Sequence, residues 1–150
     1  MPCRPARRAT LPPAVIMPQK LSTRAQTRLI ALREYEQKTQ RVYGLVETYA
    51  TAKVESDQTV SMLKRALAQL KRDLLGGGFE QLSQLAGSME VAAGRRLSQQ
   101  AKSHILREGV GSLRFQLELE QRVTVSEDLA KQEKKAELDR EQDARKQPPA

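Results

Sequence analysis

Apolar residues recur at alternating intervals of four and three residues from Leu21 to Leu74. Twelve of the sixteen positions in this series are apolar or aromatic, and no proline interrupts it. A mean spacing of 3.5 residues keeps a narrow apolar stripe on one face of a helix that packs lengthwise against another helix. The pattern predicts one long helix from about Leu21 to Leu75. We call the sixteen positions the heptad seam: Leu21, Ala25, Arg28, Leu32, Tyr35, Thr39, Val42, Val46, Tyr49, Lys53, Ser56, Val60, Leu63, Leu67, Leu70 and Leu74.

The heptad seam is weakest at Lys53 and Ser56, its only two neighbouring polar positions. Ser56 or Asp57 is suited to cap a new helix at this point, because a short polar side chain can accept from free backbone N–H groups. The 4-3 register is the same on both sides of the weak point. We therefore expect the helix to continue through it.

Three consecutive glycines, Gly76, Gly77 and Gly78, end this pattern. Glycine destabilises a helix interior by roughly 1 kcal/mol relative to alanine and readily forms left-handed caps, so the run predicts a hinge. A phosphate-binding loop would need a preceding strand and a following Lys-Ser/Thr pair, which the sequence lacks. Helical spacing resumes from Phe79 to Ile105, and we expect this segment to pack antiparallel on the preceding helix.

Residues 113–125 carry two patterns. Leu113, Phe115, Leu117 and Leu119 alternate with polar residues, which is typical of a short β-hairpin, whereas the spacing from Leu106 to Leu117 is helical. Residues 120–122 offer neither Gly nor Asn for a tight turn, which favours a helix.

The predicted fold is all-α: a long helix with an antiparallel helical hairpin, coiled-coil-like, between disordered termini. The domains are a Pro/Arg-rich leader (1–20), a helical domain (21–126) and a charged helical or disordered tail (127–150). The longest purely apolar stretch, Ala14 to Met17, is far too short to span a membrane.

The net charge of +8 lies almost entirely in the N-terminal part of the chain. Residues 1–33 hold seven Lys/Arg and no acid, whereas the rest of the chain has nearly balanced charge. Arg4, Arg7 and Arg8 form a basic tail that could bind nucleic acid or an anionic surface weakly and without sequence preference. An acid-free, Arg-containing leader is also compatible with mitochondrial import.

The sequence offers little for catalysis. Cys3 and His104 are each the only residue of their type, and a hundred positions separate them. Carboxylate pairs such as Glu118 with Glu120 lie in runs rich in Lys and Arg, which favours a solvated charged surface. We expect no catalytic residues, no metal site, no cofactor and no enzymatic activity, and an intracellular protein of the cytoplasm or nucleus, with the mitochondrial matrix as the alternative.

The hairpin is too short to cover the whole heptad seam, so its two halves receive different predicted roles. The C-terminal half is expected to pack within the chain, through Val60, Leu63, Leu67, Leu70 and Leu74. The N-terminal half is expected to bind a helical partner or a second copy, through Leu29, Leu32, Tyr35, Val42, Val46 and Tyr49. The predicted function is a helical adaptor or scaffold subunit.

Overall fold

The computed structural model describes residues 20–146. Each helix packs on the next, and the last packs on the first, which gives an up-down-up-down four-helix bundle. The predicted all-α class is confirmed. Within the described residues there are four helices and no strand: α1 (Thr23–Thr51), α2 (Asp57–Gly76), α3 (Glu80–Gly94) and α4 (Gln99–Lys146). Arg4, Arg7, Arg8 and Cys3, with nearly all of the predicted leader, lie outside the described residues, as do residues 147–150.

The predicted long helix is two helices, and this is a correction. α1 ends at Thr51, Ala52 has extended backbone, and Ser56 caps α2 by accepting from the backbone N–H of Thr59 at 3.4 Å. The chain reverses between the two helices, so both halves of the heptad seam face one core. Because both helices bury their apolar stripes in the same core, the 4-3 register is the same on both sides of the break. The spacing therefore does not reveal the break.

The core is built from one apolar stripe on each helix. Its completely or almost completely buried side chains are Leu32, Val42, Val46, Tyr49, Leu63, Leu67, Leu70, Leu74, Ala86, Met89, Ala93, Leu106, Val110, Leu113 and Leu117. Val60 is only partly buried and packs against this cluster. Residues 113–125 belong to α4, so the helical alternative is the one that the structure adopts.

The glycine run forms the turn between α2 and α3. Gly78 has a φ of +86°, a left-handed conformation that side chains with a Cβ rarely adopt. The backbone N–H of Phe79 then bonds the carbonyl of Leu74 at 2.9 Å, which closes the end of α2. A Cβ at Gly77 would collide with the hydroxyl of Tyr35. The turn therefore seats directly on α1.

Two glycines of α3 lie where α2 crosses it. A Cβ built at Gly87 would lie 3.4 Å from Cδ of Lys71, and one at Gly94 would lie 3.5 Å from Cε of Lys64. The two lysine side chains therefore lie over the positions where α3 has no side chain. Small residues seven positions apart on one helix face permit this close antiparallel packing.

α4 is the longest element, with 48 residues and a length of about 72 Å. It begins beside the end of α1, where Gln99 bonds the carbonyl of Ala52, and it passes the start of α1 at Asp128, which bonds Ser22. The helix continues without interruption through 126–127, the predicted boundary of the tail. Its last turns extend beyond the other three helices.

Candidate interaction surfaces

The six residues predicted to bind a partner are covered within this chain, where α2 and α4 both pack on α1. Leu32, Val42, Val46 and Tyr49 are at most 1% exposed, Tyr35 is 8% exposed, and Leu29 packs at the edge of the same cluster. A free surface is expected from the sequence because no other predicted helix of the chain is long enough to cover it. α4 is long enough and covers it. This half of the heptad seam is therefore not available to another molecule in the folded chain.

Ion pairs and cation–π contacts border the packing of α1 on α4. Arg107 donates two hydrogen bonds of 2.9 Å to the carboxylate of Glu47, and this pairing lowers the pKa of Glu47. The guanidinium of Arg114 lies 4.4 Å from the ring centre of Tyr43. These contacts fix which face of α4 is turned towards α1 and, as a result, which face is turned outward.

A partly buried polar cluster occupies the bend between α1 and α2. The hydroxyl of Tyr49 donates to Glu55 at 2.7 Å, and the ammonium of Lys102 lies 3.4 Å from the same carboxylate oxygen. Burial, together with the acceptor Glu55, raises the pKa of Tyr49 above its usual range. Gln99 donates to the carbonyls of Tyr49 and Ala52, so the cluster satisfies the end of α1. All four side chains have structural partners here.

His104 lies on the solvent side of α4, in an open groove beside Ala50 and Ala52. Its Nε2 lies 3.1 Å from a carboxylate oxygen of Glu108, and both side chains are at least 70% exposed. Among residues 20–146, no three His, Cys, Asp or Glu side chains are grouped as a metal site would require. No enclosed catalytic pocket surrounds this histidine.

Three of the five large apolar side chains that α4 exposes follow one another at intervals of four residues. Phe115 is 63% exposed, Leu119 is 41% exposed and Val123 is 39% exposed, and their spacing of four residues places them along one side of the helix. We call this set the outer α4 face. The sequence already contained the signal, since Phe115 and Leu119 stand on either side of the buried Leu117 in the alternating run, but alternation alone did not show which residues would be buried.

Carboxylates flank the outer α4 face along the helix. Glu108 precedes it, and Glu127, Glu133 and Glu137 follow it, all of them exposed. By helical geometry Glu108, Glu133 and Glu137 lie on the same side of α4 as Phe115, and so do the exposed Arg122 and Arg140. Glu127 lies about 120° away and lines a groove with residues of α1. Within the described part of the chain, Glu127, Glu133 and Glu137 make no ion pair with a basic side chain. The outward side of α4 therefore carries an apolar row in its middle and charges of both signs beyond it.

Four exposed cations lie along α2 in two rows of seven-residue spacing: Lys64 with Lys71, and Arg65 with Arg72. Arg65 and Arg72 point outward, whereas the side chains of Lys64 and Lys71 lie beside α3. We call these four the α2 cationic face. Asp73 lies on the other side of α2, where it accepts from Lys38 at 2.7 Å. None of the four cations makes an ion pair within residues 20–146. Charge counted along the sequence does not show on which side of a helix it lies.

Comparison of the chain with protein families, with curated proteins and with solved structures gave no match. No helix among residues 20–146 is both long enough and apolar enough to cross a membrane.

Proposed function

We propose that this chain is a non-enzymatic helical scaffold or adaptor that assembles with a partner helix through the outer α4 face. The observation that carries the proposal is the exposure of Phe115, Leu119 and Val123 in a row on the longest helix. Isolated apolar residues are common on protein surfaces, but an aligned set on one helix provides anchors for a second helix.

The position of these anchors supports the same function. Between α1 and α3, α4 packs into the bundle through Leu106, Val110, Leu113 and Leu117. The bundle therefore holds α4 rigidly while its opposite side stays free. A rigid helix loses little conformational entropy when a partner binds, which favours association through a small apolar row.

An affinity capture with matched variants tests this proposal. Phe115→Ser combined with Leu119→Ser should lose at least one partner, or self-association, that the wild-type chain retains. The control is Ile30→Ser combined with Val91→Ser, because those side chains are 58% and 56% exposed on other helices. Both variants should keep wild-type helicity by circular dichroism. The same set of bound proteins and the same oligomeric state for all three chains would contradict the proposal.

A second candidate function is weak, sequence-independent binding to nucleic acid. The α2 cationic face favours it, together with the basic residues of the leader, because phosphate binding depends chiefly on Lys and Arg that release counterions. No aromatic residue interleaves the four cations, so base stacking is not expected there. Binding of duplex DNA that falls steeply with salt would support this function. Deleting residues 1–19 and substituting Lys64, Arg65, Lys71 and Arg72 by Gln separate the two basic regions.

A further inference from the structure

We propose that Ser98, in the loop between α3 and α4, is phosphorylated by a protein kinase that selects arginines two and three residues before its target. Ser98 follows the sequence Arg95-Arg96-Leu97, which places an arginine at each of these positions. Guanidinium groups placed in this way pair with carboxylates in the substrate groove of such a kinase. Phosphorylation of Ser98 is independent of the scaffold function, so its failure leaves that proposal unchanged.

The loop at residues 95–98 gives an enzyme access to this serine. Both arginines and Ser98 are exposed, and Arg95 has extended backbone with a φ of −77° and a ψ of 153°. The backbone N–H of Arg95 bonds the carbonyl of Ala92 at 3.2 Å, and that of Leu97 bonds the carbonyl of Arg95 at 3.0 Å. These hydrogen bonds join near neighbours only. A kinase can therefore bind the loop without opening the core.

The two arginines are free to pair with a kinase. Neither Arg95 nor Arg96 makes an ion pair or a cation–π contact with another residue of the described range 20–146. Transfer of their guanidinium groups to the carboxylates of a kinase therefore breaks no ion pair of this bundle.

Other serines and threonines of the chain fit this pattern less well. Thr10 is the one other residue with arginine at both positions, and it lies outside the described residues. Thr27 and Thr124 have an arginine at one of the two positions, and both lie within helices. A helical target must unfold before it fits an extended substrate groove, whereas Ser98 is already in a loop.

The reaction transfers the γ-phosphoryl group of ATP to the hydroxyl of Ser98. The bond from Oγ to the γ-phosphorus forms while the bond from that phosphorus to its bridging oxygen breaks, and ADP leaves. The hydroxyl proton passes to the catalytic carboxylate of the kinase. The product carries about −2 of added charge on this side chain at neutral pH.

Phosphorylation at this position acts on the start of α4. The hydroxyl of Ser98 accepts from the backbone N–H of Ala101 at 3.1 Å, so it caps the first turn. Added negative charge is favourable there, because the first N–H groups of a helix carry partial positive charge. The same turn holds the end of α1, since Gln99 donates to the carbonyls of Tyr49 and Ala52. Phosphorylation should therefore strengthen the contact of α4 with this bend.

Phosphate transfer to the full-length chain tests the assignment. The kinase is the catalytic subunit of cyclic-AMP-dependent protein kinase, with ATP, and the chain carries Thr10→Ala so that the leader offers no competing target. We expect this chain to take up one phosphate, located at Ser98 by tandem mass spectrometry. Adding Ser98→Ala should abolish the uptake. Adding Arg95→Gln with Arg96→Gln should lower kcat/KM roughly tenfold or more, because two charge-assisted pairs are lost.

Two controls make a negative result decisive. Arg33→Gln with Arg41→Gln, two exposed arginines of α1, should be phosphorylated like the parent chain. A synthetic peptide of residues 93–102 should be phosphorylated at a rate within about tenfold of the folded chain, because the loop is already accessible. Circular dichroism should show wild-type helicity for every variant.

Three outcomes would overturn the proposal. The first is phosphorylation of the peptide without phosphorylation of the folded chain, which shows that the loop does not reach the kinase. The second is an equal rate for the chain with Arg95→Gln and Arg96→Gln and for its parent. The third is phosphate at other residues with none at Ser98.

Amide exchange measured by NMR tests the effect on α4. Exchange at Ala101 should slow several-fold in the chain phosphorylated at Ser98, because the charge stabilises the first turn. Exchange at Thr59, which bonds the corresponding cap of α2, should stay the same. Unchanged or faster exchange at Ala101 would contradict the stabilising effect assigned to the phosphate.

Discussion

The carboxylate of Asp128 in α4 holds the residue that caps α1. Ser22 donates its backbone N–H to one oxygen of Asp128 at 2.9 Å and its hydroxyl to the other at 2.5 Å. The same hydroxyl accepts from the backbone N–H of Ala25 at 3.2 Å. A side chain 106 positions away thus orients the cap and fixes where α1 begins against α4.

Removing this cap should loosen the first turn of α1 before the rest of the molecule. Ser22→Ala should lower the free energy of unfolding by about 1 kcal/mol, the usual effect of losing an N-cap side chain. Amide hydrogen exchange should speed up at Ala25 and leave Val46 protected. Ser126→Ala, an exposed substitution near Asp128, is the control and should change neither. Uniformly faster exchange in the Ser22 variant would show that the cap stabilises the whole fold and not only the first turn of α1.

Four carboxyl groups make the folded chain sensitive to acid. Hydrogen bonds from Arg107, Tyr49, Lys38 and Ser22 lower the pKa values of Glu47, Glu55, Asp73 and Asp128 respectively. Because these pKa values are lower in the folded chain, the stabilisation is complete above the unfolded values of about 3.9 to 4.3 and is lost as the pH falls through the folded values.

The melting temperature should therefore change little between about pH 7 and pH 5 and fall below about pH 4. Asp73→Asn should melt at a lower temperature at neutral pH and show a shallower fall in acid, because one titrating group has been removed. Thermal melts over this pH range make the comparison. An equally steep acid dependence in both chains would contradict the role given to Asp73.

Burial of both halves of the heptad seam predicts that they respond alike to charge. Val46 and Leu67 are both 0% exposed, so Val46→Asp and Leu67→Asp should each destabilise the chain by about 3 kcal/mol or more, through desolvation and lost packing. Ile30→Asp, at a position 58% exposed on α1, should be nearly neutral. Urea titrations of the three variants test this. Val46→Asp with wild-type stability would restore the first interpretation, in which this half of the heptad seam is free to bind a partner.

Neighbouring glycines of the α2–α3 turn should differ in their tolerance of alanine. A Cβ at Gly76 meets nothing within 4 Å and continues α2, so Gly76→Ala should be neutral or slightly stabilising. Gly77→Ala forces the hydroxyl of Tyr35 away from the carbonyl of Asp73, which it bonds at 3.1 Å. We expect a loss of about 1 to 2 kcal/mol in thermal or urea unfolding. The combination of Gly77→Ala with Tyr35→Phe should add little further loss, since both remove the same bond.

The sequence by itself determined the secondary structure class, the α2–α3 turn and most of the core. A stripe at 3.5-residue spacing can be buried only on a helix, and three glycines can hardly continue one, so these features follow from local physics. Leu63, Leu67, Leu70 and Leu74 were assigned to the interior on this basis, and each is at most 2% exposed.

Only the tertiary structure decided which helix covers which stripe. At the break at residues 52–56 the sequence offers the Ser56 cap, but Gln99 and Lys102 also bond this segment from another helix, and no local signal records that contact. Likewise, α4 covers Val46 because the chain reverses three times before it returns to α1. Periodicity gives the direction of a buried face relative to its own helix, but the identity of the covering surface is a long-range property. For this reason the candidate interface lies on the outward side of α4 and not on α1.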